Sequence, residues 1–143
     1  MSYFSPWRPY LYAEETLNDS DKSIAVPLYN EWQILWIWVE LATTATVGDR
    51  QLVVEIQDAA NDVVAQVARA RVVQAASLTR YYMFGPSLSI DGAFYDTDYL
   101  CTPIPPSLIL QYGYQIRVYD NNAVDAAADD MIVQMGYAAR SMV

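Results

Sequence analysis

Apolar residues in this chain fall into short runs with a period of two, separated by clusters of Gly, Pro, Asn, Asp and Ser, which is the pattern of β-strands between turns. The strongest run is NEWQILWIWVELATTATVGDRQLVVEIQD, Asn30 to Asp58. It predicts two long strands, Trp32 to Leu41 and Gln51 to Gln57, connected through Thr43 to Arg50, where Gly48-Asp49 suits a tight turn. Side chains alternate across a strand. One face of the first strand would carry Leu35, Ile37, Val39 and Leu41; the other would carry Trp32, Ile34, Trp36 and Trp38 before ending on Glu40. Neither face is polar, so cover is expected on both, from a second sheet on one side and something further on the other. The tryptophan face is either part of one large core or a protein–protein interface, where tryptophan is enriched.

The remaining segments repeat the strand-and-turn pattern. Ser23 to Leu28 reads as a short strand ending at Pro27. Val63 to Gln74 fits a helical stripe as well as a strand, but Asp58-Ala59-Ala60-Asn61 has the length of a hairpin loop, which favours pairing with the preceding strand. Ser77 to Phe84, Ser107 to Leu110, Tyr114 to Asp120 and Met131 to Tyr137 are further strands. Ser87 to Pro106, with Asp91-Gly92 and several prolines, reads as a long irregular excursion, and Asp120 to Asp130 as a solvated loop with one helical turn at most. About eight strands without a long helix predict an all-β fold, an antiparallel β-sandwich.

The N-terminal stretch breaks this pattern. Ser2 to Tyr12 is dense in aromatic residues yet has no period, and Pro6 and Pro9 interrupt regular hydrogen bonding, so it is expected to be an extended arm. Tyr3, Phe4, Trp7, Tyr10, Leu11 and Tyr12 would together form a sticky patch, packed either across their own domain or onto a neighbouring subunit. Glu14 to Lys22 reads as an acidic solvated loop. The expected organisation is therefore an arm and loop over residues 1–22 and a sandwich domain over residues 23–143.

Charge and composition narrow the chemistry. Seventeen acidic against eight basic residues give a net charge of −9, which opposes binding to a phosphate backbone. Seven of the eight basic residues are arginine, the cation better suited to planar pairing at interfaces. There is no histidine and one cysteine, Cys101; a disulfide within the chain, a Cys/His zinc site and a histidine-activated nucleophile are excluded. No P-loop, GxGxxG or HExxH pattern occurs. Glu55, Asp96 and Asp98 are available as paired carboxylates, but nothing selects them. Asp120, Asn122, Asp125, Asp129 and Asp130 supply oxygen donors without the glycine and terminal acid of a calcium loop. The N-terminal stretch lacks the charged-apolar-small pattern of a secretory leader and no apolar run reaches the length of a bilayer span, so neither a leader nor a membrane span is expected, and synthesis in the cytoplasm is expected. No cofactor, metal, membrane or nucleic acid is expected as a partner, and the chain is read as a non-enzyme.

Three segments, WVELATTATVGDRQLVVEIQDAANDVV, VVQAASLTRYYMFGP and PPSLILQYGYQIRVYDNNAVDAAADDMIVQMGY, carry a resemblance. With their Thr-Thr-Ala-Thr-Val-Gly-Asp-Arg-Gln connection and closing DAAADDMIVQ, they are similar to small virion proteins of tailed bacteriophages. The resemblance covers about Asn30 to Tyr137. It implies a jelly-roll-like sandwich on the exterior of the virion, acting as a capsid cement or decoration protein that forms trimers and staples the major capsid protein. Its expected interface residues are Trp32, Trp36 and Trp38 with the aromatic residues of the arm. A head–tail or baseplate component, or a host-receptor (glycan) binding virion protein using the Ser87 to Pro106 loop, are the alternatives.

Overall fold

The structure, a computed structural model, describes residues 6–18, 22–90, 93–122, 124–125 and 128–142, without the side chains of 14–18. It is an all-β sandwich. Among the described residues the strands are β1 (Arg8–Asn18), β2 (Lys22–Ala25), β3 (Asn30–Ala42), β4 (Leu52–Gln57), β5 (Val63–Arg69), β6 (Thr79–Gly85), β7 (Tyr99–Pro103), β8 (Leu108–Gln111), β9 (Gln115–Asp120) and β10 (Asp130–Ser141). The larger sheet runs β1-β10-β3-β6-β7, with β8 also on β3; the smaller runs β2-β9-β4-β5. Every ladder is antiparallel except β6 with β7.

β3 organises the larger sheet because it is long enough to serve three partners. Along one edge it pairs with β10; along the other, Glu31 to Ile34 pair with β8 and Ile37 to Ala42 with β6. Leu35 has no partner on β10, where Gly136 pairs with Trp36 and Tyr137 with Ile34. This bulge shifts the alternation by one residue. Trp32 and Ile34 consequently join Ile37, Val39 and Leu41 in the core, while Trp36 and Trp38 stay on the opposite face. The two uninterrupted faces expected from period two are thus corrected: the tryptophans divide between the core and the outside. From the smaller sheet, Leu52, Val54, Ile56, Ile116 and Val118 complete the core.

β3 and β4 lie in different sheets, so Thr43 to Gln51 crosses the sandwich rather than closing a hairpin. β4 and β5 do form the expected hairpin. At the N-terminus the structure departs from the extended-arm reading. From Arg8 the chain is an edge strand, with Arg8 to Glu14 paired residue by residue with Ala139 to Val133 of β10. An edge position is where a strand tolerates proline, which is why Pro9 does not prevent it. The acidic loop is shorter than expected, since Glu14 to Asn18 continue β1, and Lys22 is a buried residue of β2. The Ser87 to Pro106 excursion also contains a strand, β7, whose parallel ladder with β6 leaves no hairpin signature.

Candidate functional site

The two outward faces of the sandwich have opposite chemistry. On the smaller sheet, Glu55 of β4 is buried beneath its neighbours: Arg117 Nη1 donates to Glu55 Oε1 at 2.7 Å and the Tyr119 hydroxyl to Oε2 at 3.0 Å. The Arg117 guanidinium also lies 3.9 Å from the Tyr119 ring centre. Burial, then the hydrogen bond to Glu55, push the Tyr119 phenol up from its ordinary pKa. Beside this group, Gln115 Nε2 donates to Gln57 Oε1 and Asn61 Oδ1, both at 2.7 Å. Between β4 and β9 these groups satisfy one another in a polar network.

On the larger sheet the outward face is aromatic. The Trp38 ring is 5.8 Å from that of Tyr81, and Tyr81 is stacked on Tyr99 at 4.3 Å, one ring on each of β3, β6 and β7. Phe94 and Tyr95, from the β6–β7 connection, stand edge-on to Tyr99 at 5.2 and 4.9 Å. Burial against these rings raises the Tyr99 pKa, with Tyr81 and Asp96 adding to the effect. Towards the other edge, the Trp36 indole lies flat over Gly136 of β10, so close that a Cβ there would collide with its Nε1 and Cε2. Trp36 thereby floors a shallow groove walled by Pro9, Leu11 and Leu35. Leu11 is 75% and Tyr95 78% exposed.

The expected interface residues do not form one patch. Trp36 and Trp38 belong to the outer aromatic face. Trp32 is a core residue, 4.1 Å from the Tyr137 ring. Tyr10 and Tyr12 sit on the inner side of β1, Tyr10 stacked on Tyr137 at 5.7 Å and Tyr12 packed against the core. Trp7 lies under the Arg140 guanidinium at 4.6 Å, and Arg140 in turn binds Glu31 at 2.8 Å. Tyr3 and Phe4 lie outside the described residues. Tyr81 and Met83 of β6, the latter paired with Trp38, and Tyr99, Phe94 and Tyr95 share this region and were not singled out from the sequence. Alternation through Tyr81-Tyr82-Met83 carried the signal for the first two, but a face could be assigned only once β6 was placed beside β3.

The polar motifs of the resemblance meet at one end of the sandwich. Arg50 is fully buried and grips Asp129 through Nε at 2.8 Å and Nη2 at 3.1 Å. Its Nη1 donates to the carbonyls of Thr46 and Gly48 at 2.9 and 2.8 Å. Thr44 and Thr46 hydroxyls donate to Asp125 Oδ2 at 2.6 and 2.9 Å, and these bonds hold the Asp125 carboxyl below its ordinary pKa. Asp120 Oδ1 accepts from the backbone of Gln51 and Asn122. The Asp120 to Asp130 segment is therefore not simply a solvated loop: its carboxylates clasp the β3–β4 crossover. Among the described residues no group of His, Cys, Asp or Glu could hold a metal ion. Asp96 accepts from the Asp98 amide, Asp98 lies 3.6 Å from Arg80, and Glu55 is held by Arg117 and Tyr119. Burial pushes the Cys101 thiol up, away from the reactive thiolate.

No protein-family profile and no curated protein matches the chain. Among solved structures, chains of infectious bursal disease virus are similar in path: the Gx strain at TM-score 0.30 and 9% identity over 93% of this chain, and the Gt strain at 0.30 and 6% over 99%. The VP2 subviral particle of the same virus superposes at 0.27 and 12% over 94%. This chain spans about a third of the length of each, 32%, 33% and 33%. Superposition at this level establishes no kinship.

Proposed function

We propose that this protein is a structural component of a virion, a capsid cement or decoration protein. It assembles as a trimer and contacts the major capsid protein through the outward face of its larger sheet. The observation that carries the proposal is the contrast between the two outer faces. One pairs its charges and amides internally; the other carries a row of half-buried rings, Trp36, Trp38, Tyr81 and Tyr99, with exposed Leu11 and Tyr95 at its margins, which is the composition of interface cores. A soluble monomer seldom leaves an aromatic surface this continuous in water. The net charge of −9 suits a position away from packaged nucleic acid. A protein that binds only the assembled shell stabilises that shell by mass action, with no need of catalysis.

Tyr95 and Phe94, at the tip of the β6–β7 connection, favour receptor binding as a second reading. Both rings are also in contact with Tyr99, so they continue the aromatic row of the larger sheet.

The test is incorporation into particles. Trp36→Ser with Trp38→Ser should abolish occupancy while Gln66→Ala, at an exposed position of β5 on the smaller sheet, leaves it intact. Equal occupancy for both would refute the assignment of the face, and cryo-microscopy showing a few copies at a portal or baseplate would replace cement by a tail role.

A further inference from the structure

A second surface feature lies on the inner side of the larger sheet, where its edge extends past its cover. Here a cleft of about 360 Å³ opens between β1, β3 and β10, with Pro27 of the β2–β3 connection contributing to its wall. This is within the size range of small-ligand sites. Register explains why it is open. Arg8 pairs with Ala139 and Tyr10 with Tyr137, both directed to the inner face of the outermost strand. Tyr12, two residues on, is packed against the core, whereas Tyr10 is 49% exposed.

Three chemistries converge on this cleft. Tyr137 lies between Trp32, tilted against it, and Tyr10, stacked on it, which leaves Tyr10 as the outermost ring of the row. Arg8 is exposed and, among the described residues, holds no carboxylate. Asn30 spends its Nδ2 on the Leu28 carbonyl at 3.0 Å, so its Oδ1 is left to accept. Arg140 also borders the cleft but is committed to Glu31 and Trp7.

We propose that this cleft binds a sugar acid. The pyranose ring lies on Tyr10, its carboxylate meets the guanidinium of Arg8, and a hydroxyl donates to Asn30. Aromatic rings with a few placed polar groups are the usual composition of such sites, and arginine pairs with carboxylates in bidentate geometry. A single carboxylate is the right charge: the chain's net −9 repels a polyanion, while one arginine neutralises one acid.

The test is titration of the full-length protein with methyl glucuronide, methyl glucoside, acetate and a short acidic peptide, followed by NMR of the Trp32 and Tyr137 resonances. Methyl glucuronide should bind saturably, more tightly than each of the other three. Arg8→Gln should weaken it by about tenfold or more, the loss of one charge-assisted contact. Tyr10→Ala should weaken the glucuronide and the glucoside alike. Both residues are exposed, and an unchanged melting temperature for each variant separates loss of binding from loss of fold. The proposal is overturned if glucoside binds as tightly as glucuronide, if acetate or the peptide binds better, if Arg8→Gln binds like the parent, or if no saturable shift is seen.

Discussion

Removing the Asp129 carboxylate should be among the most damaging single changes this fold can suffer. Asp129→Ala deletes two charge-assisted bonds to Arg50 and one acceptor for the Thr44 amide. It also strands a guanidinium that is fully buried. Two bonds to the carbonyls of Thr46 and Gly48 would remain, so Arg50 cannot swing out without exposing those groups as well. Breaking a buried pair on one side costs about 3–5 kcal/mol. Domains of this size are stable by roughly 5–15 kcal/mol, so the variant would lose a large share of its stability. At roughly 3–4 °C per kcal/mol, the melting temperature should fall by about 9–20 °C. Urea unfolding followed by tryptophan fluorescence supplies the free energy. Adding Arg50→Met removes the stranded charge, and the double variant should be more stable than Asp129→Ala alone, since a buried pair replaced by apolar groups is often close to neutral. A loss under about 1 kcal/mol, or a double variant worse than Asp129→Ala by the full cost of each change, would refute the clasp.

Three further outcomes follow from the same contacts. Gly136→Ala should lift the Trp36 indole off the sheet, seen as a red shift in fluorescence and a weakened assembly, because a Cβ has no room beneath the ring. The Asp125 carboxyl is held below its ordinary range by Thr44 and Thr46, so its stabilising contribution is present above that range and is lost as pH falls through the lowered value. Asp125→Asn should accordingly flatten part of the acid limb of the stability profile, read from denaturation midpoints. Tyr82 is pushed up to about 12 by burial while its hydroxyl donates to Gln74 at 2.8 Å. Between the ordinary tyrosine pKa and that value the unfolded chain ionises and the native chain does not, so stability drops as pH rises through this window. Tyr82→Phe should remove the Tyr82 share of that alkaline drop, leaving the part due to the other raised tyrosines, at a cost of about 1 kcal/mol at neutral pH for the lost bond.

The sandwich was legible because period-two alternation survives in most strands, with Leu52-Val54-Ile56 and Met131-Val133-Met135 the clearest examples. What was not legible came from interactions between distant segments. The bulge at Leu35 has no local signal, since every neighbour is apolar; its existence depends on the register with Gly136 and Tyr137. β1 was hidden by Pro9, which reads as a breaker until the strand is known to be an edge. β7 was hidden by its parallel ladder, which no turn announces. The Arg50–Asp129 clasp joins residues far apart in sequence, and an aspartate-rich loop looks solvated until a buried cation is placed against it. For the aromatic face, Trp36 and Trp38 were found from the sequence, but Tyr81 and Tyr99 join them only through the β3–β6–β7 order.

The claim that the outward face of the larger sheet is an assembly surface is most directly tested by sedimentation velocity of the protein at micromolar concentration, parent beside Trp38→Glu. The parent should sediment at three times the 16.2 kDa mass of one chain, and the variant, with a charge set between Trp36 and Tyr81, at that mass with an unchanged fold by circular dichroism. A parent that remains a single chain, or a variant that assembles as the parent does, would contradict the account.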